Sequence, residues 1–164
     1  MDYLLYVDKK TGLPNREKLN IYIGEMAGKV LPEAFTCFTL SLDNLSELTK
    51  RFGYTVGDGV LKDFAGLVQL MGDTEGMRGY NGVGRFVVFF EECSSKKAAA
   101  MIRILDNQVE EYNSLNPEYP IRYTAAWATT EETDTYEIRE LLRFSQKKWK
   151  QMEKVKKDKT GEET

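Results

Sequence analysis

Histidine is absent from all 164 residues. Its absence removes the commonest general base and the commonest zinc ligand together. Cysteine is scarce: Cys37 and Cys93 stand far apart with no CxxC spacing. Free thiols in a reducing cytosol are the expectation. No run approaches the roughly 18 apolar residues that a membrane helix needs, so no membrane contact is expected in this segment. The N-terminus, Met1-Asp2-Tyr3-Leu4-Leu5-Tyr6, has no basic region before an apolar stretch, and no signal peptide is expected. A cytoplasmic location is the expectation.

What is present describes an ordinary soluble domain. The length suggests one domain, and 41% apolar residues with 12% aromatics can fill a core. Charged residues make up 30% and the net charge is −3. The charge is uneven. Residues 147–159 hold seven lysines against Glu153 and Asp158, a net of +5, so the remainder carries −8. A solvated helix end, with lysines favoured by the helix dipole, accounts for that run. A patch for phosphate or an acidic partner is the functional alternative. The acidic remainder argues against nucleic acid as a partner.

Periodicity lays out the elements. A polar segment, 8–15, leads into a helix carrying Leu19, Ile23 and Met26 at helical spacing. Residues 35–42 read as a buried strand with Phe38, Leu40 and Leu42 on one face. A short helix runs through Leu45 and Leu48 to Phe52, and Gly53 ends it. Val56-Gly57-Asp58 opens the next helix, whose apolar stripe is Val60, Leu61, Phe64, Leu67, Val68 and Met71. Strands at 77–80 and 85–90 flank Asn81-Gly82, a strong tight-turn signal. Ser94 or Ser95 caps a helix with Ala98, Met101, Ile102, Leu105, Val109 and Tyr112 facing the core. A strand at 121–128 follows. The last helix starts near Tyr136, places Ile138, Leu141, Leu142, Trp149 and Met152 inward, and frays into lysines. The order αβααββαβα predicts an α/β (α+β) fold with a mixed sheet and helices packed on it. One domain over 1–157 with a flexible charged tail over 158–164 is expected.

Several of these residues carry a family resemblance. Thr11-Gly12-Leu13-Pro14-Asn15-Arg16, then Leu42-Asp43-Asn44-Leu45, Phe52-Gly53-Tyr54 and Gly57-Asp58-Gly59-Val60-Leu61, are together similar to the motifs of GGDEF domains, the diguanylate cyclase family. The resemblance spans residue 8 to about 157. It implies a palm-like nucleotide cyclase fold, with a central mixed or antiparallel sheet flanked by helices. It also implies a chemistry in which paired domains each hold a GTP and Mg²⁺ bridges the triphosphates to carboxylates. The family makes cyclic di-GMP, and its catalysis is mostly metal-borne charge neutralisation and positioning.

The carboxylates for that chemistry are missing. The first metal-binding Asp of the family aligns with Ser41, and the two acids of the hairpin tip align with Gly84 and Arg85. Asp43 is kept but matches a position that is not the principal metal ligand. The guanine-binding Asn aligns with Thr49, while the guanine-binding Asp is kept as Asp58. The phosphate-contacting Lys of the last helix aligns with Met152, and a nearby basic position is kept as Lys156. The Arg-x-x-Asp inhibitory motif would fall at 73–76, and Arg78 comes too late to supply it. The expectation is a catalytically inactive domain without metal or cofactor, acting as a regulatory or protein-interaction module in cyclic di-GMP-related bacterial signalling. The expected partner is another protein or a covalently attached sensor domain. A metal-independent receptor is the alternative, holding GTP weakly through Asp58, Gly82, Gly84, Arg85 and Lys156. A third is an enzyme surviving on Ser41, Asp43 or a partner's carboxylates. Simpler roles stand beside these. Asp58 favours a helix start, Asp43 caps the following helix, Arg16 forms a structural salt bridge, Gly82 and Gly84 serve turn geometry, and Trp149 and Met152 are core.

Overall fold

The computed structural model describes residues 5–72 and 75–160, with backbone alone at Thr160. The N-terminal residues 1–4, half of the expected inhibitory motif (73 and 74) and residues 161–164 lie outside the described residues.

A four-stranded antiparallel sheet carries the molecule, in the order β2-β3-β1-β4. Its strands are β1 (Thr36–Leu42), β2 (Met77–Gly82), β3 (Arg85–Phe90) and β4 (Tyr123–Thr129). The helices are α1 (Arg16–Met26), α2 (Leu45–Phe52), α3 (Tyr54–Gln69), α4 (Ser95–Leu115), α5 (Thr130–Thr133) and α6 (Ile138–Thr160). β1 is buried at every position because both faces are covered. Phe38, Leu40 and Leu42 join Phe86, Val88 and Phe90 under α3 and α4, in a cluster that holds Leu61, Phe64 and Leu105. The alternate positions Cys37, Val87 and Phe89 face α1 and α6, with Leu19, Ile23, Ile138 and Leu141. Side-chain alternation along each strand thus builds two cores.

Local signals explain most boundaries. Asn15 caps α1 by accepting from the Lys18 amide, and Ser94 caps α4 by accepting from the Lys97 amide. Gly53, at φ 90°, turns the chain from α2 into α3 in a left-handed conformation that favours glycine. Buried Arg78 closes the far end of α3. Its guanidinium donates to the carbonyls of Val68, Met71 and Gly76 and lies 4.9 Å from the Phe90 ring centre. Burial holds its pKa below the ordinary arginine value, and the carbonyl dipoles of the helix end compensate the charge.

The structure departs from the sequence expectations at several points. α3 begins at Tyr54, so Gly57 and Asp58 lie inside it and Asp58 is not in its first turn. The hairpin turn is Val83-Gly84, not Asn81-Gly82. Gly82 pairs with Arg85, and a register shift between Tyr80 and Gly82 absorbs Asn81. Both turn residues have positive φ, 54° and 74°, the requirement of a twist-matched two-residue hairpin. α5 was not expected. α6 continues to Thr160, past the expected end of the helix. Met152 is 41% exposed and not part of the core. Among the described residues no helix is long and apolar enough to cross a membrane.

Candidate functional site

The sheet register places Arg85, Ser41 and Thr124 in one row across β3, β1 and β4, on the face under α6. α6 lowers Trp149 onto that row. The indole Nε1–H donates to Ser41 Oγ at 2.8 Å, and the Arg85 guanidinium stacks 4.9 Å from the ring centre. Ser41 Oγ donates in turn to Asp43 Oδ1 at 2.5 Å, and Thr124 Oγ1 donates to Asp43 Oδ2 at 2.6 Å. Asp43 is therefore the acceptor of a side-chain network rather than a helix cap. Asn44 holds the cap position of α2, without a side-chain capping bond.

Two clefts open on this network. The first, about 440 Å³, is lined by Ser41, Asp43, Thr49, Arg85, Trp149 and Glu153, among others. The second, about 730 Å³, shares Asp43 and Glu153 and adds Arg122, Tyr123 and three lysines of α6. On α6, Glu153 and not Met152 lines both clefts, and it brings a negative charge to them. Glu153 pairs with Lys157 at 3.4 Å.

The other candidate residues are dispersed. Lys156 donates to the Tyr123 carbonyl and sits 5.7 Å from that ring centre, in the second cleft. Asp58 lines neither cleft and pairs with Lys10 at 3.4 Å. The Gly84 amide is spent on the Tyr80 hydroxyl at 2.8 Å, inside the hairpin. Burial raises the Tyr80 pKa, so this hydroxyl stays protonated. Gly84 also leaves room for the Leu42 carbonyl, which would stand 3.0 Å from an added Cβ. Gly82 lies against Arg16, whose guanidinium donates to the Asn81 carbonyl at 2.6 Å. Arg16 therefore braces the hairpin through a carbonyl, and among the described residues it forms no salt bridge. The hairpin glycines thus serve close packing and positive φ.

The residues present do not fit Mg²⁺. Ser41 has given its only proton to Asp43 and accepts from Trp149. Both oxygens of Asp43 are engaged by hydroxyls, and Arg85 places a fixed cation in the same row. Among the described residues no group of three or more Asp, Glu, Cys or His is placed to hold a metal ion. Thr124 and Glu153 escaped the sequence reading. Thr124 enters through cross-strand register, which carries no local signal, and Glu153 is one residue from the position singled out.

The family model described as "Diguanylate cyclase, GGDEF domain" matches residues 5–160. Among curated proteins no relative matches. Solved structures do. A diguanylate cyclase/phosphodiesterase from Caldicellulosiruptor saccharolyticus is 18% identical with a TM-score of 0.72, over 94% of this chain and 90% of that one. The FimX GGDEF domain from Pseudomonas aeruginosa is 17% identical with a TM-score of 0.73, over 90% and 93%. A microbial GGDEF domain studied for its interaction with cyclic di-GMP is 21% identical with a TM-score of 0.73, over 92% and 94%. At these identities the likeness speaks for the fold.

Proposed function

This chain belongs to the GGDEF family of diguanylate cyclase domains, and from that premise we propose that it is a non-catalytic member, working as a regulatory or protein-interaction module in cyclic di-GMP-related signalling. One observation carries the reading. The Arg85 guanidinium is stacked on Trp149 and paired across the sheet with Ser41, and the family resemblance implies acids at both of those positions. A guanidinium donates hydrogen bonds and cannot ligate a cation. At short range it repels one, by about 4 kcal/mol for unit charges 4 Å apart near a protein surface. Phosphoryl transfer of this class depends on metal-borne charge neutralisation, so its loss removes the chief source of transition-state stabilisation.

A second reading, a metal-independent nucleotide receptor, draws support from the exposed Arg85 in the first cleft and from Arg122 and Lys156 in the second. Asp43 and Glu153 line both clefts and oppose a triphosphate there, which favours the first reading.

The test is incubation of the chain with GTP and Mg²⁺ or Mn²⁺, with chromatography of the products. No cyclic di-GMP above a protein-free control is the expected outcome, and its formation overturns the proposal. Calorimetry with GTP and with cyclic di-GMP, with and without Mg²⁺, separates the two readings. Magnesium-independent heat that vanishes in Arg85→Glu would favour the receptor.

A further inference from the structure

A groove of about 570 Å³ runs between α6 and β4, outside the clefts described above. Ala126, Met152 and Val155 form its apolar floor, Lys148, Lys156 and Lys159 its rim, and Trp127, whose ring lies on the opposite face of the sheet against Phe38, borders it at the strand edge. Met152 and Val155 are 41% and 53% exposed. Among the described residues β4 has a strand neighbour on one side only. Its outer carbonyls are met by ammonium groups instead of a strand. Lys148 Nζ donates to the Trp127 carbonyl at 3.0 Å, and Lys156 Nζ donates to that of Tyr123. The main-chain groups of Tyr123 and Trp127 thus point away from β1, and those of Ala125 between them follow by alternation. An edge guarded only by lysines is a template for pairing with another chain.

We propose that an extended acidic segment of a partner protein adds to β4 as a further strand. Its apolar side chains would lie on Met152 and Val155, and its carboxylates on Lys148, Lys156 and Lys159. The inference rests on the interaction-module reading and names the surface and the chemistry of the partner. Charge decides the class of occupant. Residues 147–159 carry a net of +5 in a chain whose total is −3, so this is its one strongly basic stretch. An incoming strand takes over the main-chain pairing of Tyr123 and Trp127 and releases the ammonium groups to its own carboxylates. The apolar floor and the row of amide donors and acceptors suit alternating side chains on a peptide backbone. A phosphodiester chain uses neither.

The experiment is a titration of the ¹⁵N-labelled chain with a synthetic peptide of alternating Glu and Val. Controls are the same peptide with proline at alternate positions, its Lys-for-Glu counterpart and a short DNA duplex. The expected result is amide shifts gathered on Tyr123, Ala125, Trp127 and α6. Val155→Glu, at an exposed position, should weaken binding about tenfold by opposing the carboxylates, as should raised salt. No binding, equal binding of the proline or Lys peptide, stronger binding of DNA, or shifts placed elsewhere overturns the inference. So do concentration-dependent shifts at β4 without peptide, which give the edge to a second copy. The cyclase assay is independent. Cyclic di-GMP formation removes the interaction-module reading whatever the titration shows, whereas a failed titration on an inactive chain removes only the docking surface.

Discussion

Ser41 shows how a single side chain is fitted into a polar network. Its hydroxyl gives one proton to Asp43 and takes one from Trp149, so the exposed carboxylate and the buried indole N–H are both satisfied. Satisfied polar groups of this kind contribute modestly, but an orphaned partner costs its full desolvation. Ser41→Ala leaves the indole N–H of Trp149 unpaired, and the expected loss is about 1–3 kcal/mol. Trp149→Phe removes the same bond from the other side. The double variant should therefore cost less than the sum of the two single losses. Urea unfolding of the four proteins measures this, and strictly additive losses would show that the bond contributes nothing.

At the scale of elements, the packing of α2 on α3 reverses a general rule. Glycine inside a helix is usually replaced by alanine with a gain of about 0.5–1 kcal/mol. Gly57 lies inside α3, but a Cβ there would overlap Thr49 Oγ1 of α2 and stand 3.3 Å from Thr49 Cβ. Thr49 is a β-branched residue with little room to turn aside. Gly57→Ala is expected to destabilise by about 1–3 kcal/mol, the usual cost of overpacking. Adding Thr49→Ala should recover most of the loss. Equal cost of Gly57→Ala in both backgrounds would sink the close-approach argument. The same crowding carries Thr49 into the first cleft, so the packing of these two helices sets part of its wall.

The whole molecule inherits its pH response from what it lacks and what it buries. Without histidine, no side chain of ordinary pKa titrates between about pH 5 and 8, and stability should be level there. Burial pushes the Cys37 thiol up to about 12, against a hydrogen bond shared with Ser145 that lowers it. Tyr22 is pushed up to about 12, by burial first and by the Glu91 charge second. Tyr112 and Tyr123 are raised as well, by burial and then by bonds to Asp63 and Asp106. These groups are neutral when protonated, and their folded pKa values exceed the unfolded ones. Their stabilising share is therefore complete below the unfolded values and is lost as pH rises toward about 12. Denaturant midpoints are expected to hold from about pH 6 to 8 and to fall steadily above about pH 9. Cys37→Ala should flatten the first part of that fall. A midpoint that stays constant to pH 11 would contradict the assignment.

The sequence by itself determined the element order apart from α5, the start of α4 to within Ser94 and Ser95, the turn at Gly53 and the motifs that match the GGDEF family. Each is a local matter of capping, φ preference or spacing, settled within a few residues. The expectation that Ser41, Gly84 and Arg85 stand where the family has acids likewise came from residue identities alone. What those residues do was decided by tertiary structure. The hairpin closes at Val83-Gly84, although Asn81-Gly82 is the stronger local signal, because pairing of Ser41 with Arg85 across the sheet sets the register. Asp43 forgoes a cap because Ser41 and Thr124, on two different strands, supply hydroxyls to both its oxygens. Glu153, not Met152, reaches the clefts because one residue is a 100° turn about the helix axis, and only the docking of α6 on β4 fixes which side faces the sheet. Periodicity identifies a face, whereas contact with a particular neighbour depends on how the elements meet.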